Sequence, residues 1–264
     1  MSEQIILCNQ IDNKVVVYDV ADLKTPVWSW TTDHKAFINV SGVKKRRHPK
    51  YGEVVLLCAS CGYCAMVSYP EGKILWETVS DGNCHSIELL PSGKIATASS
   101  DGNVVRLFSA PDEFISTGVE HGHGVLYDPE RDSLWMVERN RLCELDPETL
   151  EQKGNICDFR DVIKVGHDLA PYYGDTNLLW LTGNNGIFLY NKRENKVSEY
   201  LSAQYVKGIG NTPDSNKVFA VWQTGVFKPW CTDEIRCFEN GKESVTRHEN
   251  AAYYKLRIFD ERYQ

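Results

Sequence analysis

His123-Gly-Val-Leu-Tyr-Asp-Pro-Glu-Arg-Asp-Ser-Leu-Trp135 aligns without a gap on Lys207-Gly-Ile-Gly-Asn-Thr-Pro-Asp-Ser-Asn-Lys-Val-Phe219, with Pro129 on Pro213 and Trp135 on Phe219. His85-Ser-Ile-Glu-Leu-Leu-Pro-Ser-Gly-Lys-Ile95 fits the same pattern with a shorter turn, and His167-Asp-Leu-Ala-Pro-Tyr-Tyr-Gly-Asp-Thr-Asn-Leu-Leu-Trp180 fits with a longer one. A fifth copy runs from Ser41-Gly-Val-Lys44 to Glu53-Val-Val-Leu56, with the basic stretch Lys44-Lys-Arg-Arg-His48 read as an insertion at its turn. The anchors His85, His123, His167 and Lys207 are separated by 38, 44 and 40 residues. Periods of about 40 to 50 residues are those of propeller blades.

Around these anchors helical periodicity is almost absent. Short β-rich runs such as Lys14-Val-Val-Val-Tyr18, Val104-Val-Arg-Leu-Phe108 and Lys217-Val-Phe-Ala-Val-Trp222 alternate with turn clusters such as Pro91-Ser-Gly93, Ser100-Asp-Gly-Asn103 and Gly183-Asn-Asn-Gly186. Evenly spaced short strands mean a sandwich, a barrel or a propeller, and the repeat selects the propeller. Each unit reads as four strands, with Trp28, Trp30 and Trp76 on outer strands. Gln4-Ile-Ile-Leu-Cys8 has no inner strand before it, and 251–259 form an isolated strand with none after it. Together they make a sixth blade. The expectation is an all-β, six-bladed β-propeller, a single domain over residues 1–264, with strand 251–259 as the inner strand of a blade closed by both ends. Ring closure removes exposed sheet edges.

Composition narrows the function. The 264 residues are 42% hydrophobic and carry 29 Lys+Arg against 36 Asp+Glu, a net charge of −7. That acidity argues against non-specific nucleic-acid binding, which rests on phosphate neutralisation. No apolar run approaches the roughly 18 residues of a membrane helix. The start, Met1-Ser-Glu-Gln-Ile, lacks a basic n-region. The chain therefore reads as cytoplasmic and monomeric, with neither a nucleic acid nor a membrane as partner. Nine cysteines, an odd number without dense pairing, read as free thiols. The run Cys58-Ala-Ser-Cys61-Gly-Tyr-Cys64 has a zinc-like spacing, but it spans a tight strand turn and reads as packing plus turn residues.

The anchor is the start of the innermost strand. Around the ring it carries Ser41, His85, His123, His167, Lys207 and, in register, Tyr254. A propeller maps equal repeat positions onto a circle, so three imidazoles should share one end of the channel. Two versions of a site follow. In one, His85, His123 and His167 hold a divalent metal (Zn, Mn, Fe or Ni) and leave positions open for water or substrate. In the other, the same cluster binds a carboxylate or phosphate, with Lys44, Lys207, Lys255 and Arg257 supplying positive charge. His85, His123, His167, Lys207 and Tyr254 are the candidates for catalysis. The ligand class is a small anionic molecule, a carbohydrate acid or sugar phosphate, and the available chemistry is metal-assisted hydrolysis or elimination. Glu88 and Asp168 are further acid–base candidates, although alternation along the strand should turn Glu88 away from His85. His121 reads as a linker residue. The reading from a different class is a non-catalytic protein-interaction scaffold, since a histidine at a strand start also serves packing.

Taken as an ordered set, His85-Ser-Ile-Glu-Leu-Leu-Pro-Ser-Gly93, Glu120-His-Gly-His-Gly-Val-Leu-Tyr-Asp128, Gly166-His-Asp-Leu-Ala-Pro171, Tyr205-Val-Lys-Gly-Ile209 and Tyr253-Tyr-Lys-Leu-Arg257 resemble an uncharacterised bacterial family of propeller proteins common in gut anaerobes. The resemblance covers nearly the whole chain. It implies the six-bladed fold and the relevance of His85, His123, His167, Lys207, Lys255 and Arg257, and it supplies no activity. Gly208 departs from the family pattern, which implies Ser there. A more distant similarity is to oligogalacturonate lyases, whose propeller channel holds manganese on histidines; this is an analogy of fold.

Overall fold

The computed structural model describes residues 2–263, and these form 24 strands and no helix. The strands, numbered in chain order, make six four-stranded antiparallel sheets. Blade 1 has the order β24-β1-β2-β3, with β24 (Tyr253–Ile258) innermost, followed by β1 (Gln4–Asn9), β2 (Lys14–Asp19) and β3 (Asp22–Trp30). Blades 2 to 6 run outward in chain order from the inner strands β4 (Val40–His48), β8 (Cys84–Leu89), β12 (Gly124–Asp128), β16 (Gly166–Pro171) and β20 (Val206–Asn211). Each inner strand packs beside the next, and β20 returns to β24, so the ring closes. The closure is the expected one: Ile5 pairs with Ile258 and Leu7 with Leu256.

Inner and middle strands read as continuous apolar runs because both faces are covered by neighbouring blades. Trp135 and Trp180 are fully buried between blades 4, 5 and 6. Outer strands are largely exposed, as in Glu113–Gly118 and Lys196–Ser202. Trp28 and Trp30 lie on β3 and Trp76 on the outer strand of blade 2, as the repeat requires.

One expectation is corrected. Lys44-Lys-Arg-Arg-His48 is not a turn insertion: it continues inner strand β4 as far as His48, and the turn follows it. Lys44 and Arg46 are buried because both find a carboxylate, Glu88, on the next blade.

Five of the six inner strands share an irregularity that aims the site. The register slips by one residue at Ser41, His85, His167 and Lys207, and at Tyr254–Lys255 opposite Cys8. In blade 4 the pairing is regular; His123 directly precedes β12, and its amide donates to the Val137 carbonyl next to the Gly124–Val137 pair. Five of the six anchors therefore sit in β-bulges, which re-aim a side chain and bend the strand. Two residues before the anchors Ser41, His85, His123, His167 and Lys207 the backbone is left-handed, at Asn39 (φ 56°), Asn83 (58°), His121 (56°), Val165 (55°) and Tyr205 (55°). For Asn this is mild; for β-branched Val165 it is a genuine outlier that the surrounding structure must hold in place.

Candidate functional site

The bulge changes which side chains face the channel. In a regular strand neighbours point to opposite faces. Here His167 meets Lys207 while the adjacent Asp168 meets Lys255 and Arg257, and all of these contacts lie inside the ring. The same holds for Tyr254, which reaches His85, and Lys255, which reaches Asp168. Plain alternation consequently fails for Glu88. It is not turned away from the channel but lies within it, bonded to Lys44 Nζ at 2.9 Å and to Arg46 at 2.7 and 2.9 Å.

The upper layer holds His85, His123, His167, Lys207 and Tyr254. The His85 and His123 rings stack, with centroids 4.6 Å apart and planes at 11°, and His123 and His167 lie 4.7 Å apart. The Tyr254 hydroxyl lies 3.2 Å from His85 Nδ1 and 3.5 Å from His167 Nε2. Lys207 Nζ lies 2.8 Å from the same His167 Nε2. His123 donates from Nδ1 to the His121 carbonyl at 2.9 Å, which leaves its Nε2 as a bare lone pair. Ser41 does not join this layer, because its hydroxyl is bonded to the backbone carbonyls of Cys58 and Cys84.

The lower layer is ionic. Lys255 Nζ reaches Asp168 at 2.8 Å and Arg257 clamps the same carboxylate with both terminal nitrogens. This bond crosses from blade 1 to blade 5 past blade 6, where Gly208 and Gly210 present no side chains. A Cβ at position 208 would stand 2.5 Å from the Leu256 nitrogen, so the close approach of the two strands calls for glycine here. Lys44, Lys255 and Arg257 are thus placed below the imidazoles and spend their charge on Glu88 and Asp168. Four cations (Lys44, Arg46, Lys255, Arg257) surround those two carboxylates.

Burial and these cations set the protonation states. Burial, then His123 and the nearby lysines, holds His85 well below the usual imidazole value. Burial brings His123 down to about 3. His167 is lowered by burial and by Lys207. All three are neutral at pH 7. Lys207 is brought down to about 8 by burial and by Lys255. Burial favours the un-ionised forms of Asp168 and Glu88, but Arg257 and Arg46 respectively outweigh it and keep both carboxylates charged.

Above the upper layer opens a funnel of about 580 Å³, lined by His85, His121, His123, His167 and Tyr254 together with Gln10, Asn39, Ser60, Asn83, Asp101 and Trp230. The opposite end of the channel is crossed by the segment after β24. Tyr263 bonds the Leu89 carbonyl at 2.7 Å, its ring lies under Arg46, and the Arg262 carbonyl accepts from Tyr173.

Sequence reasoning missed Gln10, Asn39, Asn83, Asp101 and Trp230. Trp230 sits on an eleven-residue connection between β21 (Val218–Trp222) and β22 (Glu234–Glu239), where the other blades use two to four residues. That excess length was the available signal. The connection is tied over the mouth through Trp230 Nε1 to Gln10 Oε1 at 2.9 Å and Lys228 Nζ to Asn39 Oδ1 at 2.5 Å. His121, read as a linker, also lines the funnel and packs edge-on against His123. Cys58 and Cys64 are buried beside Cys84, with 3.6 Å between the Cys64 and Cys84 sulfurs, while Cys61 is exposed.

The imidazoles do not present three nitrogens to one centre. His85 and His123 are stacked rather than convergent, His123 Nδ1 is committed to a carbonyl and His167 Nε2 faces an amine. Among the described residues, no group of three or more His, Cys, Asp or Glu side chains is arranged to hold a metal ion.

Residues 1–143 match the model of a family described as Family of unknown function (DUF6528). No curated protein matches the chain. Solved structures are similar over nearly its whole length. A protein of unknown function from Bacteroides caccae is 11% identical, with 98% of this chain and 99% of that one covered and a TM-score of 0.66. A chain of the Nidogen/Laminin complex is 14% identical, with 99% of each covered and a TM-score of 0.72. A functionally unknown protein from Desulfotomaculum acetoxidans is 12% identical, with 97% and 86% covered and a TM-score of 0.63. At these identities the likeness is one of fold.

Proposed function

The chain belongs to the DUF6528 family of β-propellers of unknown function, so its role has to be read from its own site, and we propose that the funnel binds a small organic anion of the carbohydrate-acid or sugar-phosphate class. One observation carries this reading: His85, His123, His167 and Tyr254 line one funnel floor with Lys207 directly behind His167, and the funnel's one lining carboxylate is the exposed Asp101. Beneath them the buried cations outnumber the buried carboxylates. An anion on this floor would meet the Tyr254 hydroxyl and the imidazoles, with the Lys207 ammonium one hydrogen bond behind His167. It would also raise the affinity of the imidazoles for protons, turning lone pairs such as His123 Nε2 into donors. The hydroxyls of a sugar suit the polar side chains of Ser60 and Asn83 in the funnel wall, and Trp230 offers an apolar face.

The stacked rings support binding by hydrogen bonds rather than through a resident metal. The test is a melting-temperature screen of sugar acids and sugar phosphates, run beside elemental analysis of protein purified without a nickel column. A shift of several degrees with at least one such acid, abolished in His85→Ala/His123→Ala, supports the proposal. Stoichiometric metal lost in that variant would replace it with the metal version.

An interaction scaffold is the second reading. It is favoured by the exposed Phe227 and Trp230 on the connection at the mouth and by the likeness to a propeller solved in a nidogen–laminin complex. No shift with any acid, combined with undiminished folding of the double variant, would favour it.

A further inference from the structure

Among the described residues four lysines are buried, and they are of two kinds. Lys44, Lys192 and Lys255 each face a carboxylate: Glu88 at 2.9 Å, Asp128 at 2.6 Å and Asp168 at 2.8 Å. Lys207 faces the imidazole of His167, and among the described residues no carboxylate pairs with it. We propose that Lys207 is an amine nucleophile and that the funnel takes a small acid bearing an aldehyde or ketone, on which this amine forms an imine. The inference rests on the anion-binding reading above and narrows its ligand to a carbonyl acid; open-chain sugar acids and 2-oxo acids carry both groups.

Three observations support it. An ammonium only donates, so while Lys207 is charged His167 Nε2 must accept, and His167 Nδ1 must then carry the ring proton. Nδ1 is buried without a partner, so the charged state leaves an orphaned donor. With a neutral amine the other tautomer becomes available: Nε2 donates to the amine, and only a bare lone pair is left at Nδ1. The pair therefore favours a lysine that gives up its proton, in line with a pKa of about 8 caused by burial and by Lys255. Second, Tyr254 lies within reach of both His167 and His85, so a proton leaving Lys207 has a route through His167 Nε2 to the Tyr254 hydroxyl and His85. Third, His85, His123, His167 and Tyr254 line the open funnel, which places the amine one hydrogen bond behind the surface a ligand would touch.

The step balances without a further reagent. The amine lone pair adds to the carbonyl carbon. The carbonyl oxygen takes two protons, both derived from the amine nitrogen and relayed by His167 and Tyr254, and leaves as water. A C=N bond replaces the C=O bond, while the acid's carboxylate rests on Tyr254 and the imidazoles. At pH 7 a lysine with this pKa offers on the order of 100-fold more free amine than an ordinary one.

The experiment is reductive trapping. Intact protein is incubated at pH 7 with glyoxylate and cyanoborohydride and then mapped by peptide mass spectrometry, beside a melting screen with unreactive tartrate. The expected result is one carboxymethyl group on Lys207 ahead of exposed Lys24 and Lys35, slowed by excess tartrate and slowed in Tyr254→Phe. Label on exposed lysines with Lys207 unmodified, or Lys207 modified no faster than they are, overturns the inference. A tartrate-induced melting shift with Lys207 unlabelled sinks the imine and leaves the anion site standing. Loss of both removes both readings.

Discussion

The hydroxyl of Tyr254 lies 3.2 Å from Nδ1 of His85, although 169 residues separate them in the chain. Tyr254 is on the strand that closes the ring, so closure and completion of the funnel floor are one event. Removing residues 250–264 should strip blade 1 of its inner strand and uncover the apolar faces of β1 and β20. We expect insoluble protein, or protein without a cooperative unfolding transition. Soluble, cooperatively folding protein would contradict the closure.

Asp168 serves two cations at once. Asp168→Asn should leave Lys255 and Arg257 buried without a counter-charge, at a cost of about 3–5 kcal/mol in urea unfolding. Adding Lys255→Met and Arg257→Met to that variant should recover much of the loss, since a buried ion network is close to neutral against apolar replacements. A loss below about 1 kcal/mol in the single variant would mean that water reaches this layer.

Neutral buried imidazoles make the fold acid-sensitive. His85, His123 and His167 hold their protons less tightly in the folded chain than in the unfolded one, where the value is near 6.5. The unfolded state therefore binds more protons below about pH 6.5. The stability due to these groups is complete above that pH and falls as the pH drops, by up to about 1.4 kcal/mol per unit for each histidine. Urea midpoints at pH 7 and pH 5 should show the decline, and His123→Gln should flatten it by about one proton. An unchanged slope in the variant would mean that His123 is already charged in the folded protein.

Gly208→Ser tests the close approach of blades 6 and 1. With its Cβ 2.5 Å from the Leu256 nitrogen, the side chain forces a backbone shift that should cost about 1–3 kcal/mol. A neutral substitution would show that the two strands move apart freely.

For the thiols, denaturing alkylation of fresh protein should label nine, and under native conditions exposed Cys61 should react first. A reproducible unlabelled pair, with Cys64 and Cys84 the nearest sulfurs, would show an oxidised bridge.

The ring and the anchor layer were legible because repeat position becomes angular position in a propeller. The repeat positions of His85, His123, His167 and Lys207 alone therefore place them on one circle. The orientation of Glu88, Lys44, Lys255 and Arg257 was not legible. A bulge shifts the phase of alternation by one residue, and the bulge is set by two-strand hydrogen bonding that a single strand's sequence does not encode. Lys44 to His48 misled for a related reason: five polar residues look like a solvated turn until the carboxylate that neutralises two of them, Glu88, is brought in from the next blade. The rim residues Asn39 and Asn83 gave only the weak signal of an asparagine in a left-handed position.

The central claim is that the funnel floor binds a small anion and takes up protons in doing so. Its most direct test is isothermal titration calorimetry with galacturonate and glucose phosphate at pH 6 and pH 8, each in two buffers of different ionisation enthalpy. The account predicts one site, tighter binding at pH 6, a buffer-dependent heat showing net proton uptake, and loss of binding in His85→Ala/His123→Ala. Binding that is indifferent to pH and to that double substitution, or no binding of any sugar acid or sugar phosphate by the folded protein, would contradict it.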